Sequence, residues 1–346
     1  RLVQSPIWMT GPGNIPEPIN YAGILARKGW LSTEGLTGLA RGWRDLVATI
    51  APDLIIANHA PSLLLALRGG ATPVLYIDSP FGIPPLSAPF PNMRYWQGME
   101  LLPLMRDVES QVLHTANMAL TALKQPSLPQ LCDLFEQKET CLLGVQELDH
   151  YPDRGAADYF GPLYVRDWGE SPVWPQGGGP RVFLYLNPGH ALFETLLRQL
   201  AGMRCQVLAY VPNLPEATVM KLNKANIALR TRPQNMTQVL AQADWVLHHA
   251  GNGLATQALQ AGVPLLMLPN HLEQAMLAVR VGELKAGKVL PADARLIGTA
   301  LRDAMADQRL SDAAERFAAT HADQTPDRTL ERLLERCLAL LDTVHY

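Results

Sequence analysis

The sequence predicts an α/β fold of two Rossmann-like, doubly wound domains. Three features carry the prediction. Short apolar runs recur along the chain, helix-like stretches lie between them, and a Gly/Pro-rich joint, WPQGGGP at residues 174–180, separates two such series. Apolar runs alternating with helical segments are the pattern of parallel strands covered by helices on both faces.

The first series contains strands at 53–57 (DLIIA) and 73–77 (PVLYI) around a helix-like segment at 62–67, which is a βαβ unit. A proline-rich loop, PFGIPPLSAPFP at 80–91, follows; it holds no regular structure because proline lacks an N–H and fixes φ. Residues 99–145 alternate helix-like stretches with short breaks. After the joint, strands are expected at 181–186, 205–210, 227–230, 245–247 and 263–268, with a turn at Asn187-Pro188-Gly189 leading into a helix at 190–200. The chain ends in an amphipathic helix. Thr325 caps it, Pro326 opens it, and Leu330, Leu333, Leu334, Cys337, Leu338 and Leu341 share a face read as a packing surface. The expected organisation is an amino-terminal domain over 1–173, a second domain over 180–324, and a terminal helix over 325–346 that packs back on the first domain.

Composition bounds the function. The chain has 346 residues, 48% of them hydrophobic and 18% charged, which suits two folded cores rather than disorder. A net charge of −3 argues against a general nucleic-acid grip. Cys132, Cys141, Cys205 and Cys337 show no metal-ligand spacing and read as reduced thiols of a cytoplasmic protein. No apolar run is long enough to span a bilayer, so any membrane association is expected to be peripheral. The chain opens on Arg1 without a signal-peptide pattern; either it was processed or it lacks its true start.

The richest segment is PQNMTQVLAQADWVLHHAGNGLATQALQAGVPLLMLPNHLEQ, residues 233–274. A buried-type strand runs into His248-His249-Ala250-Gly251-Asn252-Gly253, then a helix ending in Gly262, then a second apolar strand and the pair Glu273-Gln274. A strand, a glycine-rich turn and a helix N-terminus hold phosphates because unpaired N–H groups and the helix dipole face the anion.

These residues resemble the donor-binding signature of the GT-B-fold UDP-glycosyltransferase superfamily, which includes plant secondary-product and bacterial macrolide glycosyltransferases. Pro233-Gln234, the turn from His249 to Leu254, Gln257, Gly262-Val263-Pro264 and Glu273-Gln274 follow that pattern; Gln234 to His249 is 15 residues and His249 to Gln274 is 25, without a gap. The resemblance covers 181–290 well and the first 170 residues only as fold. It implies a GT-B architecture with a cleft between two Rossmann-like domains, a nucleoside diphosphate sugar (UDP- or dTDP-linked) as donor in the second, and an acceptor in the first.

Each position has a chemical reason. His249 is expected to donate an N–H to a phosphate oxygen. Gly251 and Gly253 let the backbone approach the diphosphate and take positive φ where needed. The helix starting near Leu254 supplies amides and dipole, and Gly262 ends that helix in a left-handed cap. Glu273 accepts sugar hydroxyls, and Gln274 donates and accepts. Asn187 and Gly189 offer a second phosphate contact at another strand end. The chain also departs from the pattern. Gln257 replaces the acid that takes ribose hydroxyls, Leu254 replaces a hydroxyl residue, and Thr231 stands where plant members stack a tryptophan on the base, leaving Arg232 to stack instead.

Transfer also needs a general base. The resemblance implies a His in a Gly-His loop after the first strand, and no such loop precedes Asp53. Either the amino-terminal domain is incomplete at its start, or another group serves. Asn58 and His59 close the strand DLIIA and Asp78 closes the next, at the carboxyl edge where open α/β sheets bind ligands. The chain has no Asp-x-Asp, so neither a metal nor a cofactor is expected; the glutamate pair of many retaining relatives is missing near 273, which points to inversion. Phe81, Phe90, Tyr95 and Trp96 in and after the proline-rich loop suit an apolar acceptor. Two alternatives remain at this stage: a nucleotide-sugar 2-epimerase on the same fold, and a non-catalytic nucleotide-sugar-binding subunit.

Overall fold

The computed structural model describes residues 2–11, 13–98, 101–136 and 139–342. The chain forms two compact units. The first holds residues 1–144, 150–160 and 330–346, and the second residues 145–149 and 161–329.

The first unit carries β1 (Ile55–Asn58), β2 (Val74–Asp78), β3 (Glu139–Leu143) and β4 (Tyr159–Gly161, whose last residue is assigned to the second unit), in that sheet order. β1 pairs parallel with β2, and β2 with β3. Among the described residues the order therefore runs one way, without a reversal. Two long helices cover this sheet's unit and were not separated by the sequence pattern. Thr33–Ile50 begins at Ser32, whose hydroxyl accepts from Gly35 N at 3.1 Å. Leu102–Ala122 is continuous where breaks were expected, because nothing after Pro103 at its first turn interrupts it. Tyr21, Tyr76, Phe90 and Phe135 interlock edge-to-face in the core.

The second unit is a six-stranded parallel sheet of β5 (Arg181–Tyr185), β6 (Gln206–Tyr210), β7 (Ile227–Arg230), β8 (Trp245–His248), β9 (Leu265–Met267) and β10 (Gly287–Val289). The sheet order is β7-β6-β5-β8-β9-β10. The chain winds outward from β5 to β7, then returns to β8 beside β5 and winds the other way. That reversal is a topological switch point, and it opens a crevice beyond the carboxyl ends of β5 and β8. Alternation along the strands feeds two cores. Val182, Leu184, Val207 and Ala209 face one layer of helices, and Phe183, Leu208 and Val246 face the other.

Two expectations change. The segment 161–180 lies in the second unit rather than ending the first domain at 173. It is held by backbone bonds, Glu170 N to Pro233 O and Asn235 N to Glu170 O, both 2.8 Å. The terminal helix, Pro326–Asp342, is capped by Thr325 as expected, with Arg328 N donating to its hydroxyl at 3.3 Å. Its apolar face, however, is split. Leu333, Cys337 and Leu340 pack with Leu75, Cys141 and Phe160 in the first unit, while Leu330, Leu334 and Leu338 are more than half exposed. The predicted stripe is wider than the strip of helix surface that one neighbour can cover.

Candidate donor site

The carboxyl ends of β5 and β8 border a cavity of about 750 Å³ within the second unit. Its wall includes Asn187, His249, Gly251, Asn252, Gly253, Leu254 and Gln274 from the sequence-derived set. Among the described residues lining it there is no Asp, Glu, Lys or Arg.

The glycine turn leads into a helix N-terminus as expected, with one difference. The helix runs Asn252–Gln260 from an N-cap at Gly251, two residues earlier than expected. No side chain caps it, and the N–H groups of its first turn have no intrahelical acceptor. They open on the cavity wall together with the positive end of the dipole. Neither Gly251 nor Gly253 takes positive φ; that conformation falls to Ala250, at φ 65°. The glycines serve space instead. A Cβ added at either would meet nothing within 4 Å, so their missing side chains leave the cavity clear against the backbone. Gly262, at φ 75°, closes the helix as expected, with Val263 N bonding Ala258 O at 2.9 Å.

His249 is used differently from the expectation. Its Nε2 accepts from Asn187 N at 2.8 Å, and its Nδ1 lies 2.9 Å from Leu268 O. The ring is thus the neutral tautomer with the proton on Nδ1, and it ties the β5 turn to the β8 turn. The ring therefore holds the two turns together, and the first-turn N–H groups of the helix are left without an intrahelical acceptor. Asn187 Oδ1 accepts from Gly189 N at 2.8 Å, which fixes the second turn. His248 ends β8 fully buried, its Nε2 without a partner, and burial followed by the neighbouring His249 pushes its pKa down to about 3. His190 stands 5.5 Å from the His249 ring, its pKa also lowered by burial and by that neighbour.

The remaining candidates stand off the cavity wall. Arg232 pairs with Glu170 at 3.1 Å at the surface. Gln234 is buried, its Nε2 donating to Arg232 O at 3.0 Å. Gln257 is half-buried one turn into the helix. Glu273 is in the first turn of the helix Leu272–Glu283 beside Gln274, whose Oε1 accepts from Asn270 N at 2.8 Å. The sequence reading missed Tyr185, Pro212, Asn213, Asn270 and His271, which also line the cavity. The signal for them was position, since Tyr185 ends β5 and the others follow β6 and β9, the strands that flank the switch point.

In the first unit, the three catalytic candidates share one corner of the sheet. His59 Nδ1 lies 2.8 Å from Asp78 Oδ2. A carboxylate only accepts, so Nδ1 carries the proton and Nε2 is the basic nitrogen. Asp78 is nearly buried, and Ser79 N donates to its other oxygen at 2.7 Å. His59 reaches the aspartate from a positive φ of 47°, and a Cβ on Gly82 would collide with the Asp78 carboxylate. Asn58 instead braces the strands, donating to Ile77 O at 2.8 Å.

Solved structures similar to this chain share its fold. The glycotransferase of kitacinnamycin is 17% identical with a TM-score of 0.68, covering 88% of this chain and 82% of that one. The spinosyn rhamnosyltransferase SpnG complexed with thymidine diphosphate is 17% identical with a TM-score of 0.61, covering 88% and 80%. The glycosyltransferase VinC in complex with dTDP is 15% identical with a TM-score of 0.57, covering 92% and 83%. The chain therefore has the two-domain α/β fold of GT-B glycosyltransferases, with a parallel sheet in each domain.

In sequence, residues 194–336 match the family described as erythromycin biosynthesis protein CIII-like, C-terminal domain, so the resemblance read from residues 233–274 is borne out. NDP-glycosyltransferase YjiC of Bacillus subtilis (strain 168) is 39% identical over 67 residues, 19% of this chain; the match spans 17% of that protein's length.

Proposed function

We propose that this protein is a glycosyltransferase that moves a sugar from a UDP- or dTDP-linked donor to an acceptor hydroxyl with inversion. The observation that carries the reading is the glycine turn at the switch point. There an uncapped helix N-terminus and two side-chain-free positions meet a cavity. Similar structures that are complexes with thymidine diphosphate support the same ligand class.

In this reading the departing diphosphate gathers charge against the N–H groups of Asn252, Gly253 and Leu254, which are already aimed and need no reorganisation. No carboxylate is present among the described lining residues to bridge a metal to the phosphates, so stabilisation is assigned to these dipoles. His59 takes the acceptor proton at Nε2, and Asp78 holds the ring and balances the imidazolium that forms. The acceptor oxygen attacks the anomeric carbon as the carbon–phosphate-oxygen bond breaks, which inverts that centre. The lack of acidic groups among the described residues of the cavity wall disfavours the epimerase alternative, and the His59–Asp78 pair disfavours a binding-only subunit. The acceptor class, apolar, rests on Phe81, Tyr95 and Trp96 in and after the proline-rich loop; Phe90, fully buried in the aromatic core, is not part of that surface. Four free cysteines fit a reducing, cytoplasmic setting, and among the described residues no helix is long and apolar enough to cross a membrane.

The test is release of nucleoside diphosphate from a panel of sugar donors with and without candidate acceptors. Release that requires both substrates and yields a product of inverted configuration supports the reading. Absence of turnover with every donor, alongside absence of donor binding, overturns it.

A further inference from the structure

Tyr185 and Tyr210 form a feature that the phosphate chemistry leaves unused. They are the last residues of adjacent parallel strands, in a register that aligns Leu184 with Ala209 and so sets the two tyrosines side by side. Alternation puts them on the same sheet face as Phe183 and Leu208. Their rings stack with centroids 5.3 Å apart and planes 10° from parallel. Tyr210 packs against the core, whereas Tyr185 is 40% exposed and borders the cavity with Asn187, Pro212 and Asn213.

An aromatic ring backed by a second ring and open to a cavity suits a planar heteroaromatic ligand. The same cavity wall continues to the glycine turn. A nucleoside diphosphate is one molecule that carries both a planar ring and a diphosphate. We infer that Tyr185 is the stacking platform for the donor's base, with Tyr210 as the residue that positions it. The platform takes the role that Thr231 lacks the ring to perform and that Arg232, paired to Glu170, does not bring to the cavity wall. This inference rests on the donor reading above and specifies which part of the donor these residues recognise.

The experiment is calorimetric titration of the whole chain with UDP, dTDP and inorganic pyrophosphate, together with the absorbance change of the bound base. The proteins are wild type, Tyr185→Phe and Tyr185→Ala, each checked for an unchanged unfolding midpoint. Tyr185→Ala is expected to lose roughly ten- to a hundredfold in affinity for the nucleotides, the range for one lost base stack. It should bind pyrophosphate as wild type does and lose the drop in base absorbance that stacking produces, while Tyr185→Phe retains both. Nucleotide affinity unchanged in Tyr185→Ala, or an equal loss for pyrophosphate, overturns the platform while leaving the donor site standing. A wild type that binds none of the three ligands overturns the donor reading itself.

Discussion

His248 shows how one side chain can set a pH response. Its ring is buried without a partner for Nε2, and it protonates only near about 3 in the folded chain against 6.5 when exposed. Between those limits the unfolded chain binds the extra proton, so stability falls as the pH falls, by up to about 1.4 kcal/mol per pH unit. Urea unfolding at neutral and mildly acidic pH should show this slope in wild type and a shallower one in His248→Gln; equal slopes would assign the acid sensitivity elsewhere. His59 makes a different prediction. If it is the base, His59→Ala lowers kcat by about 10²- to 10⁴-fold with donor affinity intact. Asp78→Asn should also lower kcat, because an amide can hold the ring but not balance its charge. Steady-state kinetics beside donor titration separate these outcomes, and a His59→Ala enzyme with unchanged kcat removes His59 from the chemistry.

Two elements carry predictions of their own. The helix Asn252–Gln260 starts with a glycine in its first turn, a costly choice for a helix. Gly253→Ala should therefore stabilise the fold by a few tenths to about 1 kcal/mol while weakening nucleotide binding, since its methyl enters the cavity side. A higher melting temperature with undiminished affinity would show that the glycine does not serve the ligand. In the terminal helix, Leu333→Ala is expected to cost about 2–4 kcal/mol and Leu334→Ala less than about 0.5, as buried and exposed neighbours on one helix. Denaturant unfolding of the two variants checks it. The split face also shows what the sequence could not specify. Spacing of 3.6 identifies which leucines share a side, but the width of the contact is set by the partner sheet. Likewise β3 and β4 were illegible because five and three residues beside polar neighbours carry too little periodicity to stand out.

For the whole molecule, the second unit was nearly all legible: five of its six strands, all but β10, the capping Gly262 and the glycine turn come from local pattern, and the sheet order follows the winding rule for such units. The site residues that were missed, Tyr185 and Asn213 above all, lie outside the phosphate motif and come to it only through the sheet order. His59 and Asp78 could be named from strand ends, but not their pairing, which depends on β1 and β2 lying in register and on Gly82 leaving room. The most direct measurement of the central claim is titration of wild type and Gly253→Val with UDP and dTDP. A saturable, one-to-one heat in wild type that falls at least about tenfold in the variant fits a diphosphate seated on the helix N-terminus. No heat from either nucleotide, or identical binding by Gly253→Val, would contradict it.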